Sequence, residues 1–492
     1  MNVLVLKELN AIVLRLGRGK GIGMIGEYIY NSGLVSSRYS EHGIDSFKEG
    51  ENIIKELTNN SAIILVLEDK SISSTLSIIS ALRANRNLIL LDSKQSCRNF
   101  DKILRTFDPD LIVGSKNAIS NCGLENIKSS SLFSYSDRKS KYKDEFECKH
   151  QPLVFLGTSG SSGNPKLVGL TYNNLIANCK SISNYLNLNG HTKTINNLPI
   201  SYSYGMSVLN TTLFNGGTYI CSDETSYVRE EFWMDMKEFG ITDYSGVPKL
   251  YRDIISYDLL DMIPRSTKCL TQAGGKLEIA IQESLLKWCQ SRKARLLIMY
   301  GQTEATARLT YLDLTLEPKK IGSVGRTIDG VKLILDKDKD NQLENELIFT
   351  GENISLGYFM DKNDILNPTD QNNKILHTGD LGIIDNDGCI TITGRESRFA
   401  KIDGQRISLD YLEESLRTID VNMAIVSDDN YIYIICEGAD SKKSEQIIKS
   451  CKSLIGLNKR KFKVIKGELL VNPSGKIQYS KMLNSVMGGI GD

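Results

Sequence analysis

Histidine is scarce in this 492-residue chain: His42, His150, His191 and His377 are the full set, and no two stand at metal-ligand spacing. Zinc chemistry and a Ser-His-Asp relay are therefore poorly supplied. Ten cysteines occur without one C-x-x-C pair. Scattered over a long chain, they read as buried thiols in a reducing compartment and not as a disulfide framework. Long apolar runs are missing too, and none approaches the ~18 residues that span a bilayer. Lys7, Glu8 and Arg15 interrupt the N-terminal apolar stretch, which argues against a signal peptide. Charge of one sign is absent: 60 Lys+Arg face 59 Asp+Glu, so no overall field draws nucleic acid or an anionic membrane. The expectation is a cytoplasmic protein that neither binds nucleic acid nor inserts into a membrane.

What is present is ordinary globular composition, 40% hydrophobic and 24% charged, in a chain too long for one hydrophobic core. Two or more domains are expected. Ser61–Glu68 and Leu88–Asp92 read as strands flanking a helix over Ser71–Arg83, where Leu76, Ile79 and Leu82 recur at helical spacing. Leu111-Ile112-Val113-Gly114 is a further strand. The alternation implies β-α-β units and a largely parallel sheet. Ser136–Lys149 is charged and reads as a surface connection. From Val331 the texture changes to short alternating strands, Val331–Leu335, Glu346–Thr350, Leu381–Asp385 and Cys389–Thr393, joined by Asp/Asn/Gly turns. A domain boundary is expected near Ser397.

Two motifs are decoys. Gly21-Ile22-Gly23-Met24-Ile25-Gly26 follows a possible strand, Ala11–Leu16, but the helix it needs breaks at Asn31-Ser32-Gly33. Asp336, Asp338 and Asp340 imitate a calcium loop, yet Asn341 occupies the glycine position and Leu347 the bidentate glutamate position.

The chemistry concentrates in five places. After the apolar run Leu153–Leu156 comes Thr158-Ser159-Gly160-Ser161-Ser162-Gly163-Asn164-Pro165-Lys166. Its glycines let backbone N–H groups approach an anion, its hydroxyls add donors and Lys166 adds a charge, a combination suited to polyphosphate. The common P-loop spacing is not met. Tyr300-Gly301-Gln302-Thr303-Glu304 follows the strand-like Leu296–Met299, which places it at a strand's carboxyl end, where ligands sit in open α/β sheets. His377-Thr378-Gly379-Asp380-Leu381 offers a carboxylate on a tight turn, suited to ribose hydroxyls, and Gly394-Arg395 supplies a cation beside it. Asn472-Pro473-Ser474-Gly475-Lys476 puts a lysine after a flexible pair, far off in sequence and so on another domain.

In this order and spacing the five motifs resemble the adenylate-forming superfamily of acyl-CoA synthetases, peptide-synthetase adenylation domains and luciferases, from about residue 60 onward. The resemblance implies an α/β fold. Its large N-terminal domain (1–396) has helix-sandwiched sheets and a small distorted β-barrel, and its small, mobile α+β domain (397–492) carries the catalytic lysine. It implies that Thr158, Ser159, Gly160, Ser161, Ser162, Gly163 and Lys166 grip the β,γ-phosphates of ATP. Gln272-Ala273-Gly274-Gly275 would line the adenine, with Tyr300 stacking on it and Gly301 following. Thr303 would meet the α-phosphate, Glu304 would help bind Mg²⁺, and Asp380 and Arg395 would hold the ribose. Lys476 would sit between carboxylate and α-phosphate. Gly404, within Lys401-Ile402-Asp403-Gly404-Gln405-Arg406, matches the glycine presented to pantetheine.

Three departures stand out. Leu167 follows Lys166 where relatives carry glycine, Ser397 replaces an acidic hinge residue, and Tyr202 replaces a histidine frequent in acyl-CoA synthetases. No Asp or Glu occurs from Leu198 to Cys221, where amino-acid-activating relatives pair an aspartate with the substrate ammonium. A buried unpaired ammonium is costly, so an α-amino acid is disfavoured. The expected activity is acyl-AMP formation from a small carboxylic acid, followed by transfer to a phosphopantetheine thiol, with coenzyme A preferred. A separate acyl carrier protein acting in trans remains an alternative acceptor. A non-catalytic nucleotide-binding relative and a luciferase-like oxygenase are further alternatives.

Overall fold

The computed structural model describes residues 34–36, 41–94, 97–124, 127–129, 134–137, 154–157, 166–334, 345–403, 405–416, 419, 422–438, 440–471 and 477–489. Both decoys fall wholly or mostly outside them, as does most of Ser136–Lys149. The largest sheet has eight strands, and its centre is the parallel set Val154–Gly157, Asn87–Asp92, Ile63–Glu68 and Leu111–Gly114. Alternate side chains of the middle strand feed two cores: Ile64 and Val66 enter one, Ile63, Leu65 and Leu67 the other. That two-sided burial explains a continuous apolar run without polar alternation. The helix Ile72–Arg83 is capped by Ser71 and nearly wholly buried, so it is apolar around most of its circumference.

A second sheet of five strands runs Asp243–Gly246, Cys269–Gln272, β1 (Arg295–Tyr300), Thr310–Asp313 and Arg326–Thr327, its first three members parallel. A third, antiparallel sheet contains Val331–Ile334, Asn345–Gly351, β2 (Ile375–Ile384) and β3 (Ile390–Arg395). Here the reading of Asp380 needs correction. It does not sit on a tight turn; β2 is continuous from Ile375 to Ile384. His377 pairs with Ile348 and Leu381 with Glu346, so Thr378, Gly379 and Asp380 together oppose Leu347. This bulge, with Gly379 at φ +65°, turns Asp380 out of the ladder alternation.

Between the two large sheets lie helices α1 (Tyr172–Leu186) and α2 (Ser203–Phe214). Thr171 and Asn174 form a reciprocal capping box at the start of α1. Near the start of α2, Gly205 is required by close approach: a Cβ there would fall 2.0 Å from the Pro199 carbonyl oxygen. From Ala400 onward the chain builds two apolar cores of its own around a hairpin, a three-stranded sheet and three helices. Cys122, Cys179, Cys221, Cys269, Cys289, Cys389, Cys436 and Cys451 are free thiols. No described helix is long and apolar enough to cross a membrane.

Glu68, the last residue of the central strand, ties the sheet to the segment leading into α2. Its Oε1 accepts from the Lys70 N–H at 2.8 Å and its Oε2 from the Ser201 hydroxyl at 3.1 Å. Burial, helped by the charge of Asp92, pushes the carboxyl from 4.5 up to about 7. The folded chain therefore retains a proton that the unfolded chain releases above pH 4.5, and this stability contribution is lost as pH rises toward 7. Thermal unfolding followed across that window is expected to show Glu68→Gln declining less with pH than wild type, by up to roughly 3 kcal/mol at the alkaline end. Parallel pH profiles for the two proteins would refute this assignment.

Candidate active site

β1 delivers Tyr300 and then must reverse. Gly301 permits the reversal, since a Cβ there would lie 2.1 Å from the Ala307 carbonyl oxygen. The returning chain passes through a short 3₁₀ turn, Thr303–Ala305, then through Thr306 at φ 53° and Ala307 at φ 99°. Left-handed backbone at non-glycine residues needs outside support, and Asn353 provides it. Its amide donates to the carbonyls of Ala305 (3.0 Å) and Arg308 (2.7 Å), while its backbone carbonyl accepts from the Thr306 hydroxyl at 2.6 Å. Thr303 and Glu304 are thus fixed just beyond the carboxyl end of β1, the central strand of its sheet.

Glu304 is oriented from the first sheet. Tyr358 donates its hydroxyl to Glu304 Oε1 at 2.7 Å, and the Lys166 ammonium stands over the Tyr358 ring, 3.2 Å from its centroid. The strand Gly357–Phe359 pairs with Leu167–Leu170, placing Tyr358 opposite Val168. The residue closing the glycine-serine loop therefore reaches Glu304 through one aromatic ring. Burial and the neighbouring Glu304 charge raise the Tyr358 hydroxyl well above the usual phenol range, keeping it a donor. Glu304 Oε2 has no partner among the described residues. One carboxylate oxygen beside a phosphate-binding loop suits Mg²⁺, which takes one or two carboxylates and completes its shell from phosphates and water. No group of three or more His, Cys, Asp or Glu able to hold a metal exists among the described residues, so Glu304 fits such an ion only together with a nucleotide. Thr303 Oγ1 lies 3.4 Å from Ser203 Oγ at the start of α2.

A second cluster centres on Asp380, 2% exposed. Its Oδ2 accepts from the Tyr300 hydroxyl at 2.6 Å and from Gln302 Nε2 at 3.0 Å. Its Oδ1 pairs with Arg395 Nε at 2.7 Å, the two residues being register partners across β2 and β3. Burial and the Asp380 charge hold the Tyr300 phenol protonated, far above its ordinary range. Such charge-assisted bonds are short and directional. Asp410 then joins this cluster to the C-terminal part: one oxygen accepts from the Arg395 backbone N–H at 3.1 Å, the other from Arg398 Nε at 2.7 Å. Arg398 also pairs with Glu413 at 3.0 Å and lies over the ring of Tyr479.

Gly274 and Gly275 follow the strand beside β1. Gly274 adopts φ +87°, and the Gly275 carbonyl accepts from Gln272 Nε2 at 2.8 Å. The structure thus gathers Lys166, Thr303 and Glu304 into one cluster and Tyr300, Asp380 and Arg395 into another, joined through Gly301–Gln302. Thr158, Ser159, Gly160, Ser161, Ser162, Gly163, Gly404 and Lys476 lie outside the described residues. Sequence reasoning missed Tyr358 and Asn353. Only the aromatic within the Gly357-Tyr358-Phe359 strand could have hinted at the first.

Comparison with known proteins fits this arrangement. The AMP-binding enzyme family model matches residues 57–359. A 2-succinylbenzoate–CoA ligase of Bacillus cereus is 28% identical over 277 residues, a stretch covering 56% of this chain and 56% of that enzyme. The corresponding ligase of Bacillus cytotoxicus is 24% identical over 376 residues, 75% of this chain and 73% of its own. Among solved structures, the o-succinylbenzoate CoA synthetase of Bacillus subtilis bound to the acyl-adenylate OSB-AMP superposes with TM-score 0.70 at 17% identity, covering 93% of this chain and 97% of that one. ATP-bound MatB of Rhodopseudomonas palustris gives TM-score 0.73 at 17% identity, covering 95% and 99%. These structural likenesses show a shared fold, mixed α/β with a large N-terminal and a small C-terminal part. With the family model spanning most of the chain, this protein belongs to the AMP-binding enzyme family.

Proposed function

We propose that the chain is an ATP-dependent, AMP-forming acid–thiol ligase that activates a small carboxylic acid as acyl-AMP, releases pyrophosphate, and passes the acyl group to a phosphopantetheine thiol. The observation that carries this reading is the convergence of two clusters on the carboxyl end of β1. Lys166–Tyr358–Glu304 is suited to phosphates, and Tyr300–Asp380–Arg395 is suited to a nucleoside. In this reading the loop Thr158–Gly163 and Lys166 hold the β,γ-phosphates and Thr303 meets the α-phosphate. Gly274, Gly275 and Gly301 bound the adenine alongside Tyr300, and Asp380 with Arg395 takes the ribose hydroxyls. A magnesium ion, when bound, supplies charge neutralisation on the phosphates, with Glu304 as its protein ligand.

The chemical demand is a carboxylate attacking a phosphorus already ringed by negative charge. Fixed cations and donors aimed at the charge that concentrates there lower the barrier, and an acyl-adenylate needs shielding from water. Lys476, on a small mobile domain (397–492) closing over the large one (1–396), answers both needs. Gly404 faces the pantetheine after that domain turns. The chain works in the cytoplasm, and the acceptor is free coenzyme A. A carrier protein that raised acyl transfer by orders of magnitude over coenzyme A would overturn that choice.

Exchange of labelled pyrophosphate into ATP, run over fatty, hydroxy, aryl and amino acids, tests the activity; no exchange with any acid rejects it. Lys476→Ala is expected to cut adenylation by roughly 10²-fold or more, while transfer from preformed acyl-AMP falls far less. Equal losses in both steps would contradict the lysine's role. Asp380→Asn weakens the charge-assisted bonds to Tyr300 and Arg395 and is expected to raise the KM for ATP about tenfold with a smaller change in kcat. An unchanged KM would remove Asp380 from the nucleotide site.

A further inference from the structure

Lys166 and Glu304 carry opposite charges and end on the same side chain, yet no ion pair joins them. The Lys166 ammonium lies 3.2 Å from the centroid of the Tyr358 ring, and Glu304 Oε1 accepts from the Tyr358 hydroxyl at 2.7 Å. All three side chains are half-buried, where opposite charges attract more strongly than in open water. A direct lysine–glutamate pair would occupy the ammonium intended for phosphate and the carboxylate intended for Mg²⁺. A phenol keeps them apart while satisfying both, since its face attracts a cation and its hydroxyl donates to an anion.

The backbone around Tyr358 holds the ring in place. Gly357–Phe359 is the edge strand of the eight-stranded sheet. One side-chain amide closes its outward side: the Tyr358 N–H donates to Gln371 Oε1 at 3.1 Å, and Gln371 Nε2 donates to the Tyr358 carbonyl at 2.8 Å. Phe359, 1% exposed, stands edge-on to Phe155 with ring centroids 5.0 Å apart. It also covers Gly169 so closely that a Cβ there would fall 2.3 Å from its ring. Tyr358 packs on the other face, against the core that contains Val168 and Leu170. The Glu304 carbonyl accepts from the Ser355 N–H at 2.8 Å, so the segment carrying the phenol also holds the backbone of the carboxylate it meets.

We infer that Tyr358 is a positioning residue that works as a spacer: it holds Lys166 and Glu304 on one ring but apart, leaving the ammonium available to the phosphates of ATP and the second Glu304 oxygen to Mg²⁺. This rests on the nucleotide-binding reading above. A ring with a purely structural role predicts lost stability on substitution. It predicts no dependence of ATP binding on whether residue 304 bears a carboxylate.

The test is calorimetric titration of the full-length protein with ATP, in EDTA and in Mg²⁺, with circular dichroism reporting the fold of each variant. Tyr358→Phe keeps the ring and loses the hydroxyl. Its metal-free ATP affinity is expected to fall by no more than about twofold, while the gain in affinity on adding Mg²⁺ shrinks about tenfold. Tyr358→Leu removes the spacer, and its metal-free affinity is expected to fall about tenfold as Lys166 turns to Glu304. Adding Glu304→Gln to Tyr358→Leu is expected to recover most of that loss, well beyond what the same change gives beside the intact ring. A folded Tyr358→Leu that binds metal-free ATP like wild type, or whose loss persists with Glu304→Gln, overturns the inference. So does Tyr358→Phe with an undiminished Mg²⁺ effect, and this titration decides alone should Tyr358→Leu not fold. No ATP binding by wild type would reject the nucleotide reading and the spacer together. ATP binding without pyrophosphate exchange on any acid would reject acid activation alone, and the same variants then still decide the spacer.

Discussion

The chain reversal after β1 is the constraint on which the site depends. Gly301 and the Ala307 carbonyl approach so closely that no side chain fits between them. The loop between them is held by one buried amide, that of Asn353. Within nine residues, Tyr300 to Arg308, this fold-back sets out an aromatic donor to Asp380, an amide donor to the same carboxylate, a hydroxyl, a carboxylate and a buried guanidinium. Their directions are fixed by backbone geometry before any ligand arrives, as preorganised electrostatics requires.

Two sheets share the work of supporting that loop. Glu304 belongs to the five-stranded sheet, but the ring that orients it comes from the eight-stranded one, and Lys166 rests on the same ring. Asp380 belongs to the antiparallel sheet and receives donors from β1 and β3. Each cluster is therefore a junction between sheets, and each tightens only when the sheets are correctly docked. Fold and site are coupled through side chains whose polar atoms have few other partners.

Much of this is legible in the sequence. The apolar run ending at Glu68, the helix beginning at Ser71 and the strand Leu111–Gly114 announce themselves by length, spacing and capping chemistry, which are local properties. The run preceding Tyr300, Thr303 and Glu304 is enough to put them at a strand end. Asp380 reads as a turn residue because Thr378-Gly379-Asp380 breaks strand alternation. A bulge breaks it in the same way, and only the partner strand distinguishes the two. The roles of Tyr358 and Asn353 depend on contacts between residues far apart in sequence. Such contacts leave no periodic trace.

Asp410 has a mechanical consequence. One carboxylate grips the backbone at Arg395 and the side chain of Arg398 together, bracketing the segment where the two parts of the chain meet. Arg398 is in turn clasped by Glu413 and Tyr479, so the stretch from 395 to 398 behaves as a splint and not as a swivel. Any large rotation of the C-terminal part must either unlatch the Arg395 amide from Asp410 or place its axle upstream of that bond. The Arg395 amide on one oxygen and the Arg398 guanidinium on the other thus make a single acidic side chain the tie across this segment.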